Sequence, residues 1–149
     1  MEDRTSLNKF VGPPLEAAFS EHYGFTREES HRALLYYREY FCEKGMFENR
    51  VYEGITELLA HLKATGRTVI LATSKPEEYA VQILEHFGLL PYFDLVAGAS
   101  MDEVRVKKSD VIAYALERGG ITDLSRAVMV GDRENDMRGA ADNGLYSIG

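Results

Sequence analysis

The chain has 149 residues, 45% of them apolar and 28% charged, which suits a soluble globular protein with a core of its own. Lys and Arg number 17 against 24 Asp and Glu, a net charge of -7. An acidic chain with no basic run is a poor partner for nucleic acid or an anionic membrane surface, and no apolar run approaches the ~18 residues of a membrane span.

The start, Met1-Glu2-Asp3-Arg4, carries two acids with no apolar stretch after it and does not read as a signal peptide. Gly12-Pro13-Pro14 breaks the chain, and Pro suits a first helical turn. Leu15, Ala18, Phe19 and His22 then follow helical spacing up to Gly24. Thr26 with Glu29 reads as a capping box for a second helix. Its apolar face is Ala33, Leu34, Tyr37, Tyr40 and Phe41, and Gly45 stops it. This all-helical stretch, 14 to 51, is rich in Tyr and Phe, and most of those rings are expected to pack helix against helix. The Tyr-rich helix (Tyr36, Tyr37, Tyr40) also offers a lobe-to-core contact or a homodimer surface.

From Gly54 the pattern changes. Ile55, Leu58, Leu59 and Leu62 mark a helix closed by Gly66. Thr68-Val69-Ile70-Leu71-Ala72 is a short apolar run with β-branched residues, the signature of a buried strand. Pro76 opens a helix with Tyr79, Ile83, Leu84 and Phe87 on one face, stopped by Gly88. Asp94-Leu95-Val96-Ala97 reads as a second strand, Lys108 to Arg118 as a helix, and Ala127-Val128-Met129-Val130 as a third strand. Asp136 to Asn143 is a short helix ended by Gly144, and Tyr146-Ser147-Ile148 begins a fourth strand. Strands alternating with helices predict a parallel sheet covered on both faces. The expected division is a helical lobe at 1–51 and an α/β core at 52–149.

Cys42 is the single cysteine, so no intrachain disulfide forms, and a reducing, cytoplasmic setting is expected. His22, His31, His61 and His86 are scattered, without zinc spacing.

In an open α/β sheet, ligands bind beyond the carboxyl ends of the strands. Gly131-Asp132 follows the third strand, with Asp136 one helical turn on. Two carboxylates that close repel, and a hard cation such as Mg2+ relieves the repulsion. The same spacing suits an Asp that caps a helix and a second acid in its first turn. Thr73 and Ser74 close the first strand, where hydroxyls and N–H groups suit an anion or the cap of the helix near Pro76. Lys107 and Lys108 suit a solvated pair, or one of them a counter-charge to phosphate.

Taken together and in order, a strand ending in Thr, a loop Lys and a strand ending in Gly-Asp-x-x-x-Asp resemble the haloacid-dehalogenase-like superfamily. Phe10-Val11-Gly12-Pro13-Pro14-Leu15, Leu71-Ala72-Thr73-Ser74-Lys75-Pro76 and Val128-Met129-Val130-Gly131-Asp132-Arg133 look like its phosphoglycolate-phosphatase-like branch. The resemblance implies a three-layer, Rossmann-like core and a Mg2+-dependent phosphatase that cleaves a small phosphate monoester through an aspartyl-phosphate. By the same resemblance Thr73, with Ser74 beside it, holds a phosphoryl oxygen, and Lys108 offsets charge around nucleophile and phosphate. Asp132 is the implied Mg2+ ligand and Asp136 the second acid supporting the metal or its waters. The implied partner is a small phosphorylated metabolite, phosphoglycolate-like or a nucleotide, and the segment 11 to 51 resembles a partial cap lobe.

One departure stands against this. The family's first motif, Asp-x-Asp-Gly-Thr after an apolar strand, supplies the nucleophile, and nothing here matches it, since Asp3 is followed by Arg4 and Thr5. In the family that strand lies at the centre of the sheet, between the strands read here at 68–73 and 127–130. Without it the two lose a neighbour, and unpaired ladder groups are costly. The expectation is a chain that is poorly stable or inactive alone. A non-catalytic phosphate-binding or vestigial protein is the second reading. A receiver-like α/β domain with an acidic pocket is the third, opposed by the helical lobe and the Thr–Lys–Asp order.

Overall fold

In a computed structural model the chain divides into a helical unit, Met1–Asn49, and an α/β unit, Arg50–Gly149. The structure describes residues 9–10, 15–102 and 104–149. The readings of Met1-Glu2-Asp3-Arg4 and of Gly12-Pro13-Pro14 lie outside the described residues.

The helical unit holds α1 (Leu15–Tyr23) and α2 (Arg27–Glu43), then a 3₁₀ turn, Gly45–Phe47. The capping box forms as read: Thr26 N–H donates to Glu29 Oε2 at 2.8 Å, and Glu29 N–H donates to Thr26 Oγ1 at 3.3 Å. Donation from Thr26 N–H, and from Thr26 Oγ1, to Glu29 Oε2 holds the Glu29 carboxyl below its usual range. Ala18, Ser30, Leu34 and Met46 are buried. The aromatic expectation holds in part. Phe10, Phe19, Tyr23 and Phe25 cluster, and Tyr37 stacks on Phe41 at 5.3 Å. Tyr36 and Tyr40 instead stand exposed, and the Tyr40 hydroxyl donates to Glu48 at 2.5 Å. A phenol keeps its oxygen wet while its ring covers a helix surface, so helical spacing alone does not bury it.

The α/β unit runs α3 (Ile55–Ala64), β1 (Ile70–Pro76), α4 (Glu77–His86), β2 (Leu95–Ala99), α5 (Lys108–Arg118), β3 (Val128–Val130), α6 (Glu134–Asp142) and β4 (Tyr146–Ile148). Short 3₁₀ turns at Leu90–Tyr92 and Leu124–Arg126 fill two connections. Strand alternation sorts the core into layers. Val69, Leu71 and Val96 pack with Leu59 of α3, Leu84 of α4 and Leu89. Ile70, Ala72 and Ala97 face the other way, onto Val111, Tyr114 and Ala115 of α5. The β1–β2 pair is therefore the middle of three layers. Asp94 pins its entrance, accepting Val69 N–H at 2.8 Å and Lys63 Nζ at 2.5 Å.

Both strand pairs are parallel. β1 pairs β2, with Ile70 opposite Leu95, and β3 pairs β4, with Val128 opposite Tyr146. Among the described residues no ladder joins β1 to β3, as expected for a sheet without the family's central strand. α5 spans the break, packing on β1, β2 and α6. One face of the second pair, Val128, Val130, Tyr146 and Ile148, is exposed.

Candidate active site

The carboxyl end of β1 is irregular. Ala72 pairs with Ala97 and Pro76 with Ala99, so four steps of β1 match two of β2. Thr73, Ser74 and Lys75 form the resulting bulge, a device that re-aims side chains at the end of a strand. Thr73 Oγ1 accepts Lys75 N–H at 3.2 Å, and Ser74 is exposed. Burial lowers the Lys75 ammonium from its ordinary range. The bulge lies down on Gly98, where a Cβ would stand 2.5 Å from Glu77 Cα and 2.7 Å from Lys75 O. Only glycine leaves that space.

Lys108 opens α5 and turns back to the bulge. Its Nζ donates to Ala72 O at 3.0 Å, one residue before Thr73, and stands 2.9 Å from Asp136 Oδ1. The two side chains keep 12% and 9% of their surface, so this is a nearly buried ion pair. Lys107 precedes the helix and is exposed. Of the doublet, the structure brings Lys108 and not Lys107 to the strand ends.

Asp136 serves two neighbours at once. Its Oδ1 meets the ammonium, and its Oδ2 accepts Arg133 N–H at 3.2 Å at the start of α6. The structural alternative for this spacing holds for Asp136, which is an acid in the first turn, but not for Asp132, since the cap residue of α6 is Arg133. Gly131 makes room, since a Cβ there would lie 2.5 Å from Asp136 Cβ and 2.6 Å from its Oδ2. Asp132 does the opposite. Its side chain is 91% exposed, with Arg133 Nε 3.9 Å away. The two acids thus part: one turns inward to a lysine, the other outward.

That arrangement bears on a divalent cation. Mg2+ takes a near-octahedral set of oxygens. Among the described residues no three His, Cys, Asp or Glu side chains are grouped to hold a metal. One outward carboxylate and one already paired with an ammonium do not fit a complete Mg2+ centre. What the residues do bring to one strand end are the Lys108 ammonium, bonded to Ala72 O and paired with Asp136, and the Thr73 and Ser74 hydroxyls.

Three residues outside the sequence reading also belong to this region. Arg105, Glu77 and Tyr114 meet beside Gly98, with the Arg105 guanidinium 3.5 Å from the Tyr114 ring centre. Arg105 reaches Glu77, Gly98 and Tyr114 at once. Its contacts span three elements, so no local spacing announces them.

A family model described as haloacid dehalogenase-like hydrolase matches residues 2–149. A 5'-nucleotidase of Pseudomonas aeruginosa is 39% identical over 147 residues, which is 99% of this chain and 66% of its own length. The tyrosine-protein kinase PtkA of Mycobacterium tuberculosis is 41% identical over 140 residues, 93% of this chain and 46% of its own. A phosphoglycolate phosphatase of Caulobacter vibrioides is 33% identical over 101 residues, 68% of this chain and 42% of its own. The crystal structure of a predicted phosphatase from Clostridium acetobutylicum superposes with a TM-score of 0.91 at 52% identity, covering 100% of this chain and 68% of that one. The chain spans 42% to 66% of the length of these three curated relatives. With its layered α/β fold, its motif order and a family match along nearly its whole length, the chain belongs to the haloacid dehalogenase-like hydrolases, with phosphoglycolate phosphatases among its relatives.

Proposed function

We propose that this chain carries the phosphate-holding half of a phosphatase that hydrolyses a small phosphate monoester, phosphoglycolate-like or a nucleotide. The observation that carries the reading is the Lys108 ammonium, held by Ala72 O and Asp136 at the carboxyl end of β1. Phosphoryl transfer depends on positioning and on charge stabilisation, and an ammonium fixed on the carbonyl just before Thr73 suits both. In this proposal Thr73 and Ser74 donate to phosphoryl oxygens, and Lys108 offsets their charge. Asp136 holds Lys108 in place. Asp132 is the outward carboxylate with which the chain would contribute to a Mg2+ site. The helical unit, read as 1–51, is proposed as part of a cap that selects the substrate. A cytoplasmic setting is proposed on the lone thiol of Cys42.

The nucleophile belongs to the family's first motif, which this sequence does not show. The chain alone is therefore proposed to bind phosphate without turning an ester over. Two assays test this. One is 31P NMR titration of orthophosphate into the chain and into its Lys108→Met variant. The other is p-nitrophenyl phosphate hydrolysis with and without Mg2+. Expected are binding that the variant loses, and no hydrolysis. Absence of phosphate-dependent broadening overturns the phosphate site, and Mg2+-dependent hydrolysis by the chain overturns the placement of the nucleophile.

A further inference from the structure

Thr73 in the β1 bulge and Lys108 at the start of α5 come from different parts of the chain, and a side-chain pair beside them links their elements. Glu77 is the first residue of α4, directly after the bulge and Pro76. Arg105 lies three residues before Lys108. Arg105 Nη2 stands 3.4 Å from Glu77 Oε2, and that same oxygen accepts Gly98 N–H at 3.1 Å. Arg105 Nε donates to Gly98 O at 2.8 Å. Both backbone groups of Gly98, under the bulge, are thus engaged by this one pair of side chains.

Arg105 is itself fixed from three directions. Its own N–H donates to Ser100 Oγ at 2.9 Å, and its carbonyl accepts Ser100 N–H at 2.9 Å. Its guanidinium Cζ lies over Tyr114, on the second turn of α5, 3.5 Å from the ring centre. The Glu77 and Arg105 side chains keep 33% and 22% of their surface. A planar fork that meets a carboxylate, a carbonyl and a ring together is a geometric constraint more than a store of energy.

We propose that Arg105 and Glu77 are a positioning pair that sets the first turn of α5 against the β1 bulge, so that Lys108 reaches Ala72 O and Asp136. The pair does not touch the proposed phosphate site and acts through Lys108 and the bulge. The inference rests on the phosphate-holding role proposed for those residues.

Lysine acetylation with a water-soluble ester, mapped by peptide mass spectrometry, tests it in the 149-residue chain. Lys108 reactivity is read relative to Lys63 in the same molecule, which cancels general changes in folding. Arg105→Ala is expected to raise that ratio about fivefold, the effect of roughly 1 kcal/mol of lost positioning. Glu77→Gln keeps an acceptor for Gly98 N–H and raises the ratio in the same direction; it carries the measurement if Arg105→Ala does not fold. Arg118→Ala is the control. Arg118 donates to the Tyr114 hydroxyl at 3.0 Å and takes no part in the Glu77–Gly98 contact, so its loss leaves the ratio unchanged. An unmoved ratio in both Arg105→Ala and Glu77→Gln overturns the proposal. So does an equal rise in Arg118→Ala, which would reduce the effect to loosened packing around Tyr114. Orthophosphate protection of Lys108 in the unsubstituted chain separates the two proposals. Protection with an unmoved ratio sinks the positioning pair alone. A raised ratio without protection keeps the pair and sinks the phosphate site.

Discussion

Replacing Lys108 by Met removes one ammonium and keeps most of the stem that fills the space. The loss falls on two acceptors. Asp136 keeps Arg133 N–H but loses its ion pair, and Ala72 O loses its donor. Removing one member of a buried pair costs about 3–5 kcal/mol. Side-chain exposures of 12% and 9% place this pair near the buried limit. The surviving Arg133 bond favours the lower end, so we expect about 3 kcal/mol, of which about 1 belongs to the Ala72 carbonyl. Against the about 5–15 kcal/mol of an ordinary domain that is a large fraction. Urea unfolding followed by far-UV circular dichroism at neutral pH measures it. Asp136→Asn and the double variant complete a cycle, in which the double variant loses about 1.5 kcal/mol less than the sum of the singles. A Lys108→Met cost under about 1 kcal/mol, the range of solvated surface pairs, would refute the reasoning. Additivity of the two singles would refute it as well.

Gly131→Ala drives a methyl into Asp136, and overpacking of that kind costs about 1–3 kcal/mol, roughly 2–10 °C in melting temperature by calorimetry. Asn143→Ala removes donation to Ser109 O, which ties α6 to α5, and to Gly139 O, which closes the end of α6; about 1–2 kcal/mol should go in the same urea assay. Asp94 has its carboxyl held below the usual 3.8 by Lys63 and Val69 N–H. A depressed folded value gives stability that is complete above the unfolded value and lost as pH falls through the folded one. Melting temperature should therefore fall with acid below about pH 4 less steeply in Asp94→Asn than in the parent chain.

Local signals were legible in the sequence and tertiary ones were not. Thr26–Glu29 formed its capping box, and the helix read at Lys108 to Arg118 is α5 to the residue. β1 runs on to Pro76, past the apolar run that announced it, because its last rung is Pro76 opposite Ala99 across the bulge. That rung depends on Gly98 beneath it, and nothing in Thr73-Ser74-Lys75 reports on Gly98. α6 begins at Glu134, two residues before the start read from Asp136, since Asp136 acts as the third helical residue. The resemblance singled out Lys108 of the Lys107–Lys108 doublet, and the structure has Lys108 turned in. The opposite fates of Asp132 and Asp136 were not readable, because one turn of spacing says nothing about which carboxylate meets an ammonium from α5. Tyr36 and Tyr40 show the limit of pattern on the helical side, where ring-rich spacing does not decide between core and surface.

The break between β1 and β3 changes how motion travels through the α/β unit. Strands in one ladder shear together, because each rung is a hydrogen bond shared with the next chain. Here the two pairs are bridged by the side chains of a helix, and α5 leans on β1, β2 and α6 alike. With no shared ladder among the described residues, β3, α6 and β4 are expected to open separately from the Leu59–Leu84–Leu89 core. Amide exchange should divide along the same line, fast in β3 and β4 and slow in β1 and β2. Lys108, from α5, and Asp136, in α6, join the two sides of that break through one ion pair.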